Sequence, residues 1–388
     1  MSLFSGIGAF EKALRNLNID FELVGYSEID KYASKAYSLI HNVPENLNLG
    51  DITKIDEQNL LKNIDLITYG FPCQDISVAG KQKGFLNGET KTRSGLFFDA
   101  LRIIQAVQPK ITIAENVKNL TSKRFKNEFE IVLNSLKMAG YNNYYAVLNA
   151  KNYGVPQNRE RVFIISIHKS VDNNKFVFPK QKKLNKRLKD MLEDTVDEKY
   201  YIKNVNMTVI NDLFDSADRL LQIGTLDIKG QDNIKRVYSS EGISPTLTNM
   251  QGGNRQPKIA TKKASGNEKV IVASRGRYVN INNQTVTKQQ FEINNTGCTN
   301  ALTTVQKDNY VLEDPFKIRK LTPKECFRLM GFEDKDINIL IENKISNTQL
   351  YKMAGNSIVV NVLEEIFKSL IDTQIIHTEK REVTHGHI

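Results

Sequence analysis

The chain has 388 residues, 40% of them apolar and 25% charged, enough to bury a substantial core in two or three domains and too apolar for wholesale disorder. Its 54 Lys and Arg against 44 Asp and Glu give a net charge of +10, which favours a polyanionic partner. Three scattered cysteines, Cys73, Cys298 and Cys326, argue against a disulfide framework or a paired-cysteine metal site. No apolar run reaches the ~20 residues of a membrane span, and no signal-peptide pattern opens the chain, so a cytoplasmic, metal-free protein with a reduced thiol is expected.

In chain order, the first half alternates short apolar runs with amphipathic segments, the pattern of a parallel sheet with crossover helices. Strands are predicted over 2–4, 22–26, 65–69, 111–114, 144–148 and 162–167, and helices over 10–17, 31–41, 96–105 and 125–139. A basic tract follows at 180–189, read as a solvated linker or a phosphate-facing edge. From about 190 to 312 the alternation is lost, and short β-prone stretches are separated by turns such as Gln251-Gly252-Gly253-Asn254-Arg255. A weak internal repeat relates 242–251 to 297–306. Helical patterning then returns. Thr322-Pro323 caps one helix, and another is predicted over 357–370, introduced by Ala354-Gly355-Asn356.

Chemistry-bearing residues punctuate this order. Gly6 and Gly8 lie between a predicted strand and helix, where the backbone can approach a nucleotide-like ligand. Glu28 ends the second strand about 20 residues on, where an acid binds ribose hydroxyls, and Asp51 is placed to accept from an adenine amine. A dinucleotide dehydrogenase would share these features. The run Gly70-Phe71-Pro72-Cys73-Gln74 then sets a thiol behind a proline at the carboxyl end of a strand. Residues 74–93, with Gly80, Gly84, Gly88, Lys81, Lys83, Lys91 and Arg93, read as a lid closing on DNA phosphate over the thiol. Glu115 follows an apolar strand, and Arg159 and Arg161, two apart, share a strand face. A nucleophile, a nucleotide cradle, a carboxylate and an arginine pair point to methyl transfer to a pyrimidine. Thiolate addition at ring carbon 6 makes carbon 5 nucleophilic, Glu115 meets the exocyclic amine and ring nitrogen 3, and one arginine orients Glu115 while the other holds the base carbonyl.

These residues in this order resemble the DNA (cytosine-5)-methyltransferase family of bacterial and phage modification enzymes, over about 2–166 and 319–367. The resemblance implies an α/β fold. A Rossmann-like S-adenosylmethionine-binding domain, with a mixed, mostly parallel sheet, comprises 1–178 and 346–388, and a smaller β-rich target-recognition domain comprises 179–345. It implies double-stranded DNA in the cleft, a flipped-out cytosine, a monomer, association with the nucleoid through DNA, and a restriction-modification or phage/orphan role in which a cognate restriction endonuclease need not touch the chain. By motif position, Phe4, Gly6, Ile7 and Gly8 correspond to the methionine-side cofactor loop, Glu28 to the ribose ligand and Ile29 to the adenine-packing position. Asp51 and Ile52 correspond to the adenine edge, Pro72 and Leu96 to the pocket lining, and Asn356 and Ser357 to cofactor contacts from the carboxyl-terminal part. Cys73 corresponds to the nucleophile, Glu115 and Arg161 to base contacts, and Arg159 to their support. DNA contacts are expected at Ser77, Lys81 and Arg93, at the Thr246-Leu247 pair, and at Gly252, Gly253, Asn254 and Arg255, with Ala301-Leu302 as another placement of the pair. The segment 319–332 resembles the scaffold of the recognition domain.

One departure is that only three residues precede Phe4, so added upstream residues are expected to raise thermal stability. An RNA (transfer RNA) cytosine-5 methyltransferase is the alternative enzyme, and a catalytically silent DNA-binding module is the non-enzymatic one.

Overall fold

The computed structural model describes residues 1–60, 62–72, 86–87, 90–91, 93–202, 207–209, 218–250, 254–262, 269–281, 284–294, 310–313 and 316–376, with the backbone alone from 86 to 94, at 208–209 and from 262 to 316. Strand β1 (Ser2–Leu3) pairs in parallel with β2 (Tyr26–Ser27) and β3 (Leu66–Tyr69). The two-residue strands β4 (Leu86–Asn87) and β5 (Thr90–Lys91) pair with each other. Strand β6 (Ile111–Val117) lies parallel to β3, with Tyr69 opposite Ala114. Strands β7 (Tyr141–Asn149) and β8 (Glu160–His168) complete the order β2-β1-β3-β6-β8-β7, β8 running antiparallel to both neighbours. This is the expected mixed, mostly parallel sheet.

Helices α1 (Ala9–Asn16), α2 (Lys31–His41), α3 (Phe97–Val107) and α4 (Lys126–Met138) supply the crossovers. Strand β8 is buried on both faces, so it reads as a continuous apolar run. Its Phe163, Ile165 and Ile167 join a core with Phe10 and Ala13 of α1, while Val162 and Ile164 join a second core with α3 and α4.

A second sheet follows from β9 (Met207–Val209), β10 (Gln222–Leu226), β11 (Arg236–Ser239), after the single-turn helix α5 (Asp232–Lys235), and β12 (Lys258–Lys262). It continues through β13 (Lys269–Ile281), β14 (Gln284–Asn294), β15 (Tyr310–Glu313) and β16 (Phe316–Lys320). Its order is β15-β13-β14-β9-β10-β11-β12-β16, around a small core of Met207, Ile223, Leu226, Val237 and Ala260. The chain then returns through α6 (Pro323–Arg328), α7 (Asp334–Glu342), α8 (Asn347–Asn356) and α9 (Val360–Asp372). Phe327, Ile337 and Leu340 share the first sheet's core with Phe10 and Ile366. Lys12 of α1 pairs with Glu333 at 2.7 Å and with Asp336 of α7 at 2.8 Å. Helices α6 and α7, inside the segment 179–345, thus pack with the first sheet.

Four expectations need correction. The strand predicted over 22–26 is reduced to Tyr26–Ser27, because β1 offers only Ser2 and Leu3 as partners. Strand β6 runs past 114 to Val117, because antiparallel pairing with β8 continues to Val117 opposite Arg161. The short strands expected after 190 include a 13-residue and an 11-residue strand paired as a hairpin. Ala354-Gly355-Asn356 ends helix α8, and the last helix starts at Val360.

Candidate active site

The carboxyl ends of β1, β2 and β3 open a crevice of the kind in which α/β sheets hold ligands. Beyond β1 the backbone turns left-handed at Phe4 (φ 52°), Gly6 (φ 56°) and Gly8 (φ 76°), an uncommon conformation for a bulky residue such as Phe4. A Cβ on Gly8 would lie 2.1 Å from His41 Nε2, so only glycine fits, whereas one on Gly6 would meet nothing within 4 Å. The Gly6 backbone therefore faces open space. Its N–H donates to Glu28 Oε2 at 2.8 Å, and Ser5 N–H donates to the Ser27 carbonyl at 3.1 Å, fastening the loop to the end of β2.

The second Glu28 oxygen accepts from Asp30 N–H at 2.8 Å. Burial raises the Glu28 carboxyl above its usual range, against the pull of these donors. The neighbouring Ile29 is 76% exposed, an apolar side chain left uncovered. Asp51 accepts from the Thr53 N–H at 3.0 Å and the Thr53 hydroxyl at 2.9 Å, bonds that hold its carboxyl below the usual range. Open backbone at Gly6 and Gly50, two carboxylates and an uncovered apolar side chain fit a nucleoside with hydroxyls, an amine and a flat face. The side chains of Ile7 and Ile52 are 2% and 4% exposed and lie in the two cores, so the ligand contacts expected there are limited to backbone atoms. Pro72 and Leu96 are partly buried, Leu96 against the second core. At the end of α8, Asn356 is exposed and Ser357 buried.

A second cluster lies at the end of β6. Glu115 stands opposite Phe163, and Val117 opposite Arg161, which makes Glu115 and Arg161 diagonal neighbours on one sheet face. Arg161 Nε meets Glu115 Oε1 at 2.9 Å, both side chains being mostly buried. Burial raises the Glu115 carboxyl even though Arg161 and Arg159 pull it down. A Cβ on Gly70 would lie 3.6 Å from Glu115 Oε2, so the exit of β3, three residues before Cys73, passes this carboxylate. Asn116, 3% exposed, donates to the Phe71 carbonyl at 3.0 Å and pins that exit.

Arg159 is buried and reaches elsewhere. Its guanidinium donates to the carbonyls of Leu247 at 2.8 Å, Gly355 at 3.1 Å and Ser357 at 2.8 Å, joining the segment after β11 to the end of α8. Gln157, fully buried, donates to the Leu329 carbonyl at 2.8 Å and accepts from Leu247 N–H at 3.3 Å. Thr246 donates its hydroxyl to the Asn158 carbonyl at 2.5 Å, and Leu247 is 1% exposed in the core. Leu247, expected to contact DNA, is corrected to an anchor, since its buried side chain has no surface to offer.

The chain's sequence matches the model of the family described as C-5 cytosine-specific DNA methylase over residues 1–372. The chain belongs to this family. The methylase is 38% identical to the orphan methyltransferase M.SPBetaI of Bacillus phage SPbeta, over 97% of this chain and 98% of that one. It is 32% identical to the type II methyltransferase M.HhaI of Haemophilus parahaemolyticus, over 94% and 92% of the two chains. Its fold is similar to that of the Entamoeba histolytica methyltransferase EhMeth, with a TM-score of 0.61 at 17% identity over 96% and 97%. It is likewise similar to Dnmt2 methyltransferase of S. pombe, with a TM-score of 0.57 at 17% identity over 96% and 98%. The enzyme class expected from the motifs, a DNA (cytosine-5-)-methyltransferase, and the Rossmann-like methyltransferase fold are those of this family.

Several expected residues of the methylase lie outside the described residues: Cys73, Ser77, Lys81, Gly252, Gly253, Ala301 and Leu302, while Arg93 is described as backbone alone. Asn254 (φ 57°) and Arg255 are exposed beyond Met250. Two lysines hold this turn, Lys258 and, from the scaffold segment 319–332, Lys320. Lys258, 1% exposed, donates to the carbonyls of Asn254 and Gln256, and Lys320 donates to Asn254 Oδ1 at 3.0 Å. Burial, with Lys320 nearby, brings the Lys258 ammonium down to about 8. In the basic tract, Lys182 pairs with Glu365, and Arg187 and Lys189 with Glu241. Among the described residues no helix is long and apolar enough to cross a membrane. Cys326 is fully buried, and burial pushes its thiol well up, so it is inert.

Proposed function

We propose that this methylase transfers the methyl group of S-adenosylmethionine to carbon 5 of a cytosine flipped out of duplex DNA, through a covalent Cys73 adduct at carbon 6. The observation that carries the reading is the buried Glu115–Arg161 pair at 2.9 Å, beside the strand exit that leads to Cys73. Bound in the crevice, S-adenosylmethionine supplies an electrophilic methyl group. The backbone from Phe4 to Gly8 and from Asp51 to Ile52, the Glu28 and Asp51 carboxylates, the Ile29, Pro72 and Leu96 side chains, and Asn356 with Ser357 would hold it.

In the proposed sequence the Cys73 thiolate adds to ring carbon 6, and the electrons of the 5,6 double bond make carbon 5 nucleophilic. Glu115, kept protonatable by burial, meets ring nitrogen 3 and the exocyclic amine, while Arg161 orients that carboxyl and faces the base. Carbon 5 takes the methyl group as the donor's S–CH3 bond breaks and a neutral thioether departs; a base, water at simplest, then takes the carbon 5 proton, the double bond re-forms and the thiolate is expelled. Arg159 acts through the backbone it holds and is a positioning residue. The reading assigns base contact to the second-sheet region around Thr246 and 252–255, and phosphate contact to Ser77, Lys81 and Arg93. It divides the chain functionally into a catalytic part, 1–178 with the carboxyl-terminal helices, and a recognition part between them.

Relatives named for orphan phage and type II modification support duplex DNA as the acceptor and a modification role. Transfer of labelled methyl from S-adenosylmethionine to unmethylated duplex DNA and to transfer RNA, side by side, tests this. Label confined to DNA is expected. Label on transfer RNA alone would replace the reading with the RNA one.

A further inference from the structure

Asn48 lies in the link between α2 and Asp51 and forms a parallel bridge with Tyr26. Its side-chain amide makes four hydrogen bonds. Oδ1 accepts from Glu28 N–H at 3.0 Å and Gly50 N–H at 2.9 Å. Nδ2 donates to the Glu28 carbonyl at 2.9 Å and to the Ser34 hydroxyl at 2.9 Å. Strand β2 ends at Ser27, yet both main-chain groups of Glu28 are satisfied, as a neighbouring strand would satisfy them. The same amide holds Gly50, the residue before Asp51. A carboxamide has two donors and two acceptor lone pairs, so nothing on Asn48 is left over for a ligand. The Ser27 hydroxyl, donating to the Gly50 carbonyl at 2.7 Å, and Leu49 N–H, donating to the Tyr26 carbonyl at 2.6 Å, close the same clamp.

We propose that Asn48 is a positioning residue of the methyl-donor site, a single amide that fixes the Glu28 and Asp51 backbones relative to each other and so sets affinity for the donor. This rests on the proposed role of Glu28 and Asp51. A residue that only stabilised the fold would lower melting temperature and kcat and disturb both substrates together. A positioning residue acts on one substrate, because the two backbones it joins both carry donor-facing acids while Glu115 and Arg161 lie at another strand end.

The experiment compares Asn48→Ala, Asn48→Asp and Glu28→Ala with wild type. Calorimetric Kd for S-adenosylmethionine is measured alongside kcat and separate KM values for donor and DNA, well below each variant's melting temperature. Asn48→Ala is expected to raise Kd and KM for the donor about tenfold, the loss of roughly one net hydrogen bond or more, with kcat and the KM for DNA unchanged. Asn48→Asp keeps the two accepted bonds but turns a carboxylate oxygen towards the Glu28 carbonyl, so a shift of the same sign is expected; it carries the test if the alanine variant does not fold. If Glu28→Ala weakens the donor while both Asn48 variants bind it like wild type, the inference is overturned. A uniform loss in kcat and both KM values overturns it too. Unchanged donor binding in Glu28→Ala would instead remove the donor-site reading on which it rests.

Discussion

At the scale of single residues, the account turns on a carboxyl kept from ionising freely. Burial raises Glu115 while Arg161, at 2.9 Å, holds its orientation. Glu115→Gln keeps the shape and removes the transferable proton, so kcat should fall about 10²- to 10⁴-fold while donor Kd stays at the wild-type value, measured by single turnover and calorimetry. His41 offers a pH test. It is 1% exposed, and burial lowers its imidazole to about 4 from an ordinary 6.5. Its stabilising contribution, about 3 kcal/mol, should be complete above pH 6.5 and be lost as pH falls towards 4, because the unfolded chain takes up the proton first. Melting temperature followed from pH 7 to 4 should fall less steeply in His41→Gln. Glu115 and Arg161 were legible because each stands at the end of an apolar run, but the face expected to be shared by Arg159 and Arg161 is corrected: β8 begins at Glu160, and Arg159 turns to the carbonyls of Leu247, Gly355 and Ser357. Asn48, Asn116 and Gln157 were not, since each bonds backbone groups 20 to 172 residues away, and sequence carries no local sign of such partners.

Among the elements, the return from the second sheet shows what local chemistry can and cannot announce. Thr322 caps α6, with Pro323 behind it and Glu325 closing a reciprocal capping box, all readable from the sequence. The same Glu325 also receives two bonds from Arg319, at 2.7 and 2.8 Å, and both side chains are essentially buried. That pairing was hidden, because its burial depends on packing from Tyr351 and the segment near Glu193. Arg319→Met should cost about 3–5 kcal/mol by removing the charge partner of a buried carboxylate, and Arg319→Met combined with Glu325→Leu should recover only part of it, because the Thr322 and Glu193 N–H groups then lose their acceptor, as denaturant unfolding would report. Helix α8 was missed where Ala354-Gly355-Asn356 read as a lead-in. A Cβ on Gly355 would lie 1.7 Å from the Thr248 carbonyl oxygen, so this glycine serves a close backbone approach inside a helix rather than a turn.

Over the whole molecule, the two sheets meet where Arg159 and Gln157 of the catalytic half grip the backbone around Leu247. The first sheet was legible almost strand by strand, since burial on both faces writes apolar runs into the chain. The second was legible only as β-rich: its longest strands, β13 and β14, pair with each other along their length, and such pairing needs no apolar run. The crevice proposed for the methyl donor and the carboxylate proposed to face the base come from four strand ends of one sheet, so the proposed chemistry rests on the first sheet alone. The most direct measurement is base-resolution conversion sequencing of unmethylated duplex DNA incubated with S-adenosylmethionine and either the wild-type enzyme or Cys73→Ser. The account predicts 5-methylcytosine at one recurrent sequence with wild type and none with Cys73→Ser. Cytosine methylation that persists in Cys73→Ser would contradict the covalent mechanism at its centre.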